Sequence, residues 1–296
     1  MKRFSKLWAL GLGLFAAVLC GGCDVEFPNQ EIRWRYDTEA DALDVLIVYR
    51  GVTTPAASEE ALDKGQAVAD RILGGRREFM LMDWPFLFDL DADPKESEPL
   101  AAELRAAYDR VQLVAAGAFQ DEDQRLCAYQ HFRMTEVSHV LDGFNHLIGA
   151  QAATALDEGD LGPDDLPWFD EGEVEAWRGF IADRRPWIAL EQGRLVLRAP
   201  ITEAGAARAL DAIVHQQDDE DFGFFANLSG ITVADGVAEF AVGHVEGADT
   251  VVRLHRDIDV LSDLRDRLVT GGLDLAHASS LAEVRALLDT PSAKGN

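Results

Sequence analysis

Three groups of side chains have spacings that metal or acid–base chemistry could use. His139, Asp142 and His146 stand at i, i+3 and i+7, which on a helix stacks three potential ligands along one face over two turns. A metalloprotease helix would instead set two histidines four apart with a glutamate beside the first, so a solvated helix face is the competing reading. Asp89, Asp91 and Asp93 in "DLDADPKESE" occupy the first three ligand positions of a calcium-binding loop. The glycine that should follow is Pro94 and the closing glutamate is Leu100, which leaves at most a loose divalent-cation site. Asp170, Glu171 and Glu173 lie between Trp168 and Trp177. Paired carboxylates beside aromatic rings suit sugar hydrolysis, while acidic residues at a helix start are expected from the helix dipole alone. The chain has no Gly-x-Ser-x-Gly elbow, no Walker loop and no Gly-x-Gly-x-x-Gly after a strand.

The elements that must position these groups are visible as periodicity. "EIRWRYD" alternates Ile32, Trp34 and Tyr36 with Arg33 and Arg35, the period of a half-exposed strand. "DVLIVYR" is continuously apolar from Val45 to Tyr49, as in a central strand, and Thr38 to Leu43 can close a hairpin between the two. Ser58 with Glu59 and Glu60 opens a helix that Gly74 and Gly75 end, and "REFMLMDW" reads as a further strand. "VQLVAAGAF" and "RLCAYQHFRM", joined by "QDEDQ", form a second hairpin, in which Cys127 reads as a small buried residue. The clearest helix follows, with Val137, Val140, Leu141, Phe144, Leu147, Ile148, Ala152 and Ala155 recurring mostly at spacings of three and four in one stripe.

Beyond an acidic stretch at 157–170 come a helix through Val174, Trp177 and Ile181, then strands around "EQG" and around Asp235-Gly236, a strong hairpin signal. A strand "TVVRLH" leads to a helix through Val260, Leu261, Leu264 and Leu268, and Ser280 with Glu283 caps a last short helix. Arg-Leu, strand, then Thr-Glu opening a helix occurs at both Thr135-Glu136 and Thr202-Glu203, which raises two similar halves; ordinary use of threonine as a cap accounts for it equally. The expected class is α+β, antiparallel sheets built from hairpins each followed by a helix.

The N-terminus carries the most specific pattern. Lys2, Arg3 and Lys6 precede an uncharged run from Leu7 to Leu19, then Gly21, Gly22 and Cys23. Thirteen residues make about 20 Å of helix, short of the ~30 Å hydrocarbon core, so the run reads as an export signal. It resembles a bacterial lipoprotein signal peptide, although the third place before the cysteine holds Cys20 where leucine is usual. The resemblance covers only the first two dozen residues. It implies cleavage after Gly22, a diacylglyceryl group on Cys23 and a membrane-anchored lipoprotein of the cell envelope. Ordinary signal cleavage and an uncleaved anchor are the alternatives. Asp24 resembles the aspartate that retains such proteins in the inner membrane of enteric bacteria; inner and outer membranes both stay open as destinations.

The implied organisation is a signal peptide 1–22, a lipid-anchored tether 23–30, an α+β domain or half 31–156, an acidic linker 157–170, a second α+β domain or half 171–290 and a disordered tail 291–296. Removal of residues 1–22 leaves 24 basic against 53 acidic residues, a net charge of −29. That charge, with no basic patch, argues against nucleic acid as a partner. With Cys20 removed and Cys23 acylated, Cys127 has no intramolecular disulfide partner. The expected function is a non-catalytic binding or assembly role. The partners are the membrane, through the lipid, and another envelope protein, and no cofactor is expected beyond a loosely held divalent cation. An envelope hydrolase using carboxylates or a bound metal is the alternative.

Overall fold

The computed structural model describes residues 25–54, 58–82, 87–92, 101–158, 170–208, 227–256, 258, 262–275 and 279–289. It is α+β with antiparallel sheets. The chain divides into two compact units: residues 101–107 with 137–244 form one, and residues 25–92, 108–136 and 245–289 form the other. This division differs from a cut at 157–170 between halves 31–156 and 171–290, because the C-terminal strands return to the sheet that the N-terminal strands began. Residues 159–169 of the acidic stretch and the tail 291–296 lie outside the described residues.

The larger unit is built on two hairpins. β1 (Asn29–Asp37) and β2 (Ala42–Arg50) are joined by a turn in which Asp41 takes φ 47° and accepts a hydrogen bond from the Tyr36 hydroxyl at 2.9 Å. After β3 (Thr53–Thr54), α1 (Glu59–Leu73) starts where the Ser58 hydroxyl accepts from Ala61 N, and it ends at Gly74, as the sequence predicts. The expected strand at "REFMLMDW" is only β4 (Glu78–Met80), paired with β5 (Leu87–Asp89). Past α2 (Ala101–Tyr108), the second hairpin is β6 (Val111–Gln120) with β7 (Leu126–Thr135). Its loop closes on Asp121, whose Oδ1 accepts from the backbone N–H of Asp123 and Arg125.

The smaller unit holds α2 up to residue 107, α3 (Val137–Glu158), α4 (Glu171–Ala182), β8 (Ile188–Glu191) and β9 (Arg194–Pro200), a helical turn over residues 203–208, β10 (Leu228–Ala234) and β11 (Val237–Val242). Its sheet order is β10-β11-β9-β8. Both tight turns carry two successive positive φ angles, 52° and 79° at Gln192-Gly193 and 51° and 73° at Asp235-Gly236. That is the type I′ geometry that matches strand twist. The α3 stripe is buried from Val137 to Ala155 except at Leu141, which is half-buried. On α4 the buried row is Glu173, Trp177 and Phe180 rather than Val174, Trp177 and Ile181. Rings decide that rotation: Trp187 packs 5.2 Å from Trp177 and 4.7 Å from Phe180, and a buried aromatic cluster outweighs the burial of two aliphatic side chains.

The chain then re-enters the larger sheet through β12 (His244–Glu246) and β13 (Asp249–His255), giving the order β12-β13-β1-β2-β7-β6. The last segments are β14 (Ser262–Asp263), α5 (Arg265–Thr270) and α6 (Leu281–Arg285), the last with the predicted Ser280/Glu283 capping box. The helix predicted through Leu264 and Leu268 begins only at Arg265, because Ser262–Asp263 pairs with β3 as a strand; Leu264 is its N-cap, and both leucines are buried. Its predicted first turn at Val260 and Leu261 lies outside the described residues.

The expected tether is shorter than 23–30. Glu26 and Thr53 exchange backbone hydrogen bonds at 2.9 and 2.8 Å, Val25 and Phe27 are buried, and the Phe27 ring stands edge-on to Tyr49 at 5.0 Å. Residues 25–27 therefore belong to the folded unit rather than to a free tether.

Candidate functional site

A cluster of paired charges lies on one face of β1. Glu31, Arg33 and Arg35 share that face by strand alternation, and the register places Arg253 opposite Glu31 and Val251 opposite Arg33. A half-exposed strand would send these charges to water, yet Glu31 is 5% and Arg33 7% exposed. The reason is complementarity. Arg285 of α6 donates from Nε to Glu31 at 2.9 Å and from Nη2 to its other oxygen. Arg33 meets Asp249 and Glu246, each at 3.1 Å, and Arg253 bonds both Glu246 and Glu31. Arg35 donates to Asp249 at 2.7 Å, and to Leu288 O and Asp289, each at 2.8 Å. Every charge here faces an opposite one, the condition for tolerating buried ions.

Next to this ionic row lies an apolar one. Leu46, Val48, Phe119 and Cys127 form a buried cluster with Val284 and Leu288 of the C-terminal segment. Burial pushes the Cys127 thiol up to about 11, so the thiolate that a nucleophile needs is suppressed. The inert reading of Cys127 stands. Farther along the face, buried His131 lies 3.0 Å from Asp44 Oδ1, and Arg133 donates to Asp44 Oδ2 at 2.7 Å. The carboxylate thus orients one imidazole and one guanidinium within the sheet.

These contacts set a pH response. Burial pushes the Glu31 carboxyl up, but the Arg285 hydrogen bond and the charges of Arg285, Arg33 and Arg253 outweigh it, so it lies below its ordinary value. Arg253 and then Arg33 hold Glu246 down at about 2. A carboxyl depressed in the folded state adds stability above its unfolded pKa and loses it as pH falls through the folded one. Melting temperature should therefore be level from about pH 7 to about pH 5 and fall between about pH 4.5 and pH 2. Glu246→Gln should flatten part of that fall. A melting temperature unchanged at about pH 3 would show that the pairs contribute nothing.

The residues singled out by spacing are distributed otherwise. His139, Asp142 and His146 all lie on the exposed side of α3. One helix face supplies no converging second element, and among the described residues no group of three or more His, Cys, Asp or Glu side chains could hold a metal ion. Asp89 ends β5 and Asp91 follows in a turn, with Asp91 N bonded to Asp89 Oδ1 at 2.9 Å. Arg77 donates to Asp91 at 2.8 Å and Arg71 lies 3.9 Å from Asp89. The two aspartates therefore face arginines, while Asp93 lies outside the described residues.

Asp170 is the N-cap of α4, accepting from Gly172 N and Glu173 N. Glu173 is 1% exposed and accepts from both the backbone N–H and the hydroxyl of Thr202. Arg208 bridges to Asp170 at 2.8 Å and lies 3.8 Å from Glu173. These carboxylates hold a helix start and a helix–strand junction together; a hydrolase pair would face each other across open space.

A cavity of about 10 Å³ lies in the larger unit among Phe27, Tyr49, Ile72, Leu126 and Leu268. That is room for one water at most, and the lining is apolar. No helix among the described residues is long and apolar enough to cross a membrane. No family model, no curated protein and no solved structure matches the chain.

Proposed function

We propose that the chain is a lipid-anchored protein of the cell envelope with a non-catalytic binding or assembly role. The observation that carries it is the N-terminal pattern: three cationic residues, the uncharged run Leu7–Leu19, and Gly21-Gly22 before Cys23. The folded part supports a binding role through its polar chemistry. Glu31, Glu173, Asp44 and Asp170 are each engaged in holding elements together. The alternative, a hydrolase, requires converging carboxylates or ligands, and among the described residues His139, Asp142 and His146 lie on one exposed helix face with no group of three or more that could hold a metal ion.

An anchor at Cys23 would leave little slack. Val25 is already buried, and two residues span at most about 7 Å. The folded part would then sit against the membrane surface rather than reach away from it. Fractionation of cells expressing wild type and Cys23→Ala tests the anchor. Wild type should partition with membranes and Cys23→Ala should lose the acyl label. If wild type carries no acyl label, or stays in the membrane through an intact, uncleaved N-terminus, the lipid anchor is wrong.

A further inference from the structure

The two larger sheets have four edges, and among the described residues three of them are blocked. β12 is three residues long, and its Glu246 is paired with Arg33 and Arg253. β6 is bulged between Leu113 and Ala115 and bridged at Phe119 by Ser279. β8 is closed by a side chain: the Asn145 amide of α3 donates to Ile188 O at 2.9 Å and accepts from Ile188 N at 2.8 Å. These are the usual devices against strand addition. Among the described residues the fourth edge, β10, has none of them over its last five residues. "LSGITVA" contains no charge and no proline, pairs regularly with β11 from Gly230 to Ala234, and has its bulge only before Gly230. Ile231 is 47% and Val233 43% exposed.

We infer that the outer edge of β10 binds an extended, basic segment of a partner protein by strand addition. This deepens the binding role proposed above and rests on it. Backbone groups along an open edge supply the affinity and alternate side chains the selectivity. Small or β-branched residues in the partner would lie beside Ile231 and Val233. Charge selects the occupant. The chain carries −26, and Asp235 in the adjoining turn is exposed. A second copy would bring the same charge to the edge and be repelled, whereas a segment flanked by lysine or arginine is attracted.

The test uses the full chain in detergent and a fluorescent peptide of about ten residues, alternating valine and threonine between lysine ends. Fluorescence anisotropy should report binding that weakens at least about tenfold when the peptide backbone is N-methylated, when its lysines become glutamates, or in the double variant Ile231→Lys, Val233→Lys. The N-methylated peptide keeps the test decisive even where the variant fails to fold. Equal binding of the N-methylated peptide would reduce the contact to charge alone and overturn strand addition. Absence of binding would overturn it as well. A wild-type dimer that the double variant abolishes would assign the edge to a second copy. Anisotropy does not depend on acylation, so loss of the anchor and loss of this edge site are separable results.

Discussion

Replacing Glu31 by glutamine should lower the unfolding free energy by about 3–5 kcal/mol, the cost of removing one partner from a buried ionic cluster. Glu31 receives Arg285 and Arg253 and lies 3.3 Å from Arg33. Without its charge the four guanidiniums of Arg33, Arg35, Arg253 and Arg285 would be left with three carboxylates, Asp249, Glu246 and Asp289. Arg285→Met should cost less, because Arg285 is 36% exposed in its side chain while Glu31 keeps two other arginines. Glu31→Gln should also loosen residues 281–289, whose hold on the sheet combines Arg285 with Val284 and Leu288. Urea unfolding measures the first effect and amide exchange in α6 the second. A midpoint within error of wild type would mean that the cluster is a weakly coupled surface array.

Gly205→Ala should destabilise the smaller unit, against the usual sign. Inside a helix this change ordinarily adds about 1 kcal/mol. Here a β-carbon would overlap the Glu173 carboxylate. That carboxylate is not free to swing away, because it is buried and holds both donors of Thr202. Moving it orphans those donors, so a net loss of about 1–3 kcal/mol is expected. The mechanism is checked by a double-mutant cycle. In a Glu173→Ala background the target of the clash is gone, and Gly205→Ala should become neutral or stabilising. The same loss in both backgrounds would place the strain elsewhere.

Much of the local structure was legible because its causes are local. Ser58, the Ser280/Glu283 pair and the Asp235-Gly236 turn each act within a few residues, and the α3 stripe declares its buried side by spacing alone. Pairing between chain ends was not legible. β13 joins β1 across more than two hundred intervening residues, and strand alternation names two faces without saying what covers either. The burial of Glu31 and Arg33 follows from that missing partner: "EIRWRYD" carries the right period, but the acidic residues that neutralise its arginines lie at 246, 249 and 289.

The candidate site residues show the same limit. His139, Asp142 and His146 have ligand-like spacing on one helix, whereas a metal centre needs groups converging from several directions. Glu173 reads from sequence as an acidic residue near a helix start and is buried, because the fold brings both donors of Thr202 to it. The bare edge of β10 was invisible as an edge until the strand order was known, although the absence of charge in "LSGITVA" was there to be read.

Mass spectrometry of the N-terminal peptide, from protein extracted from membranes with detergent, tests the central claim most directly. The account predicts a peptide that begins at Cys23 with a thioether-linked diacylglyceryl group on its sulfur. A peptide that begins at Met1, or that carries Cys23 with a free thiol, would contradict it.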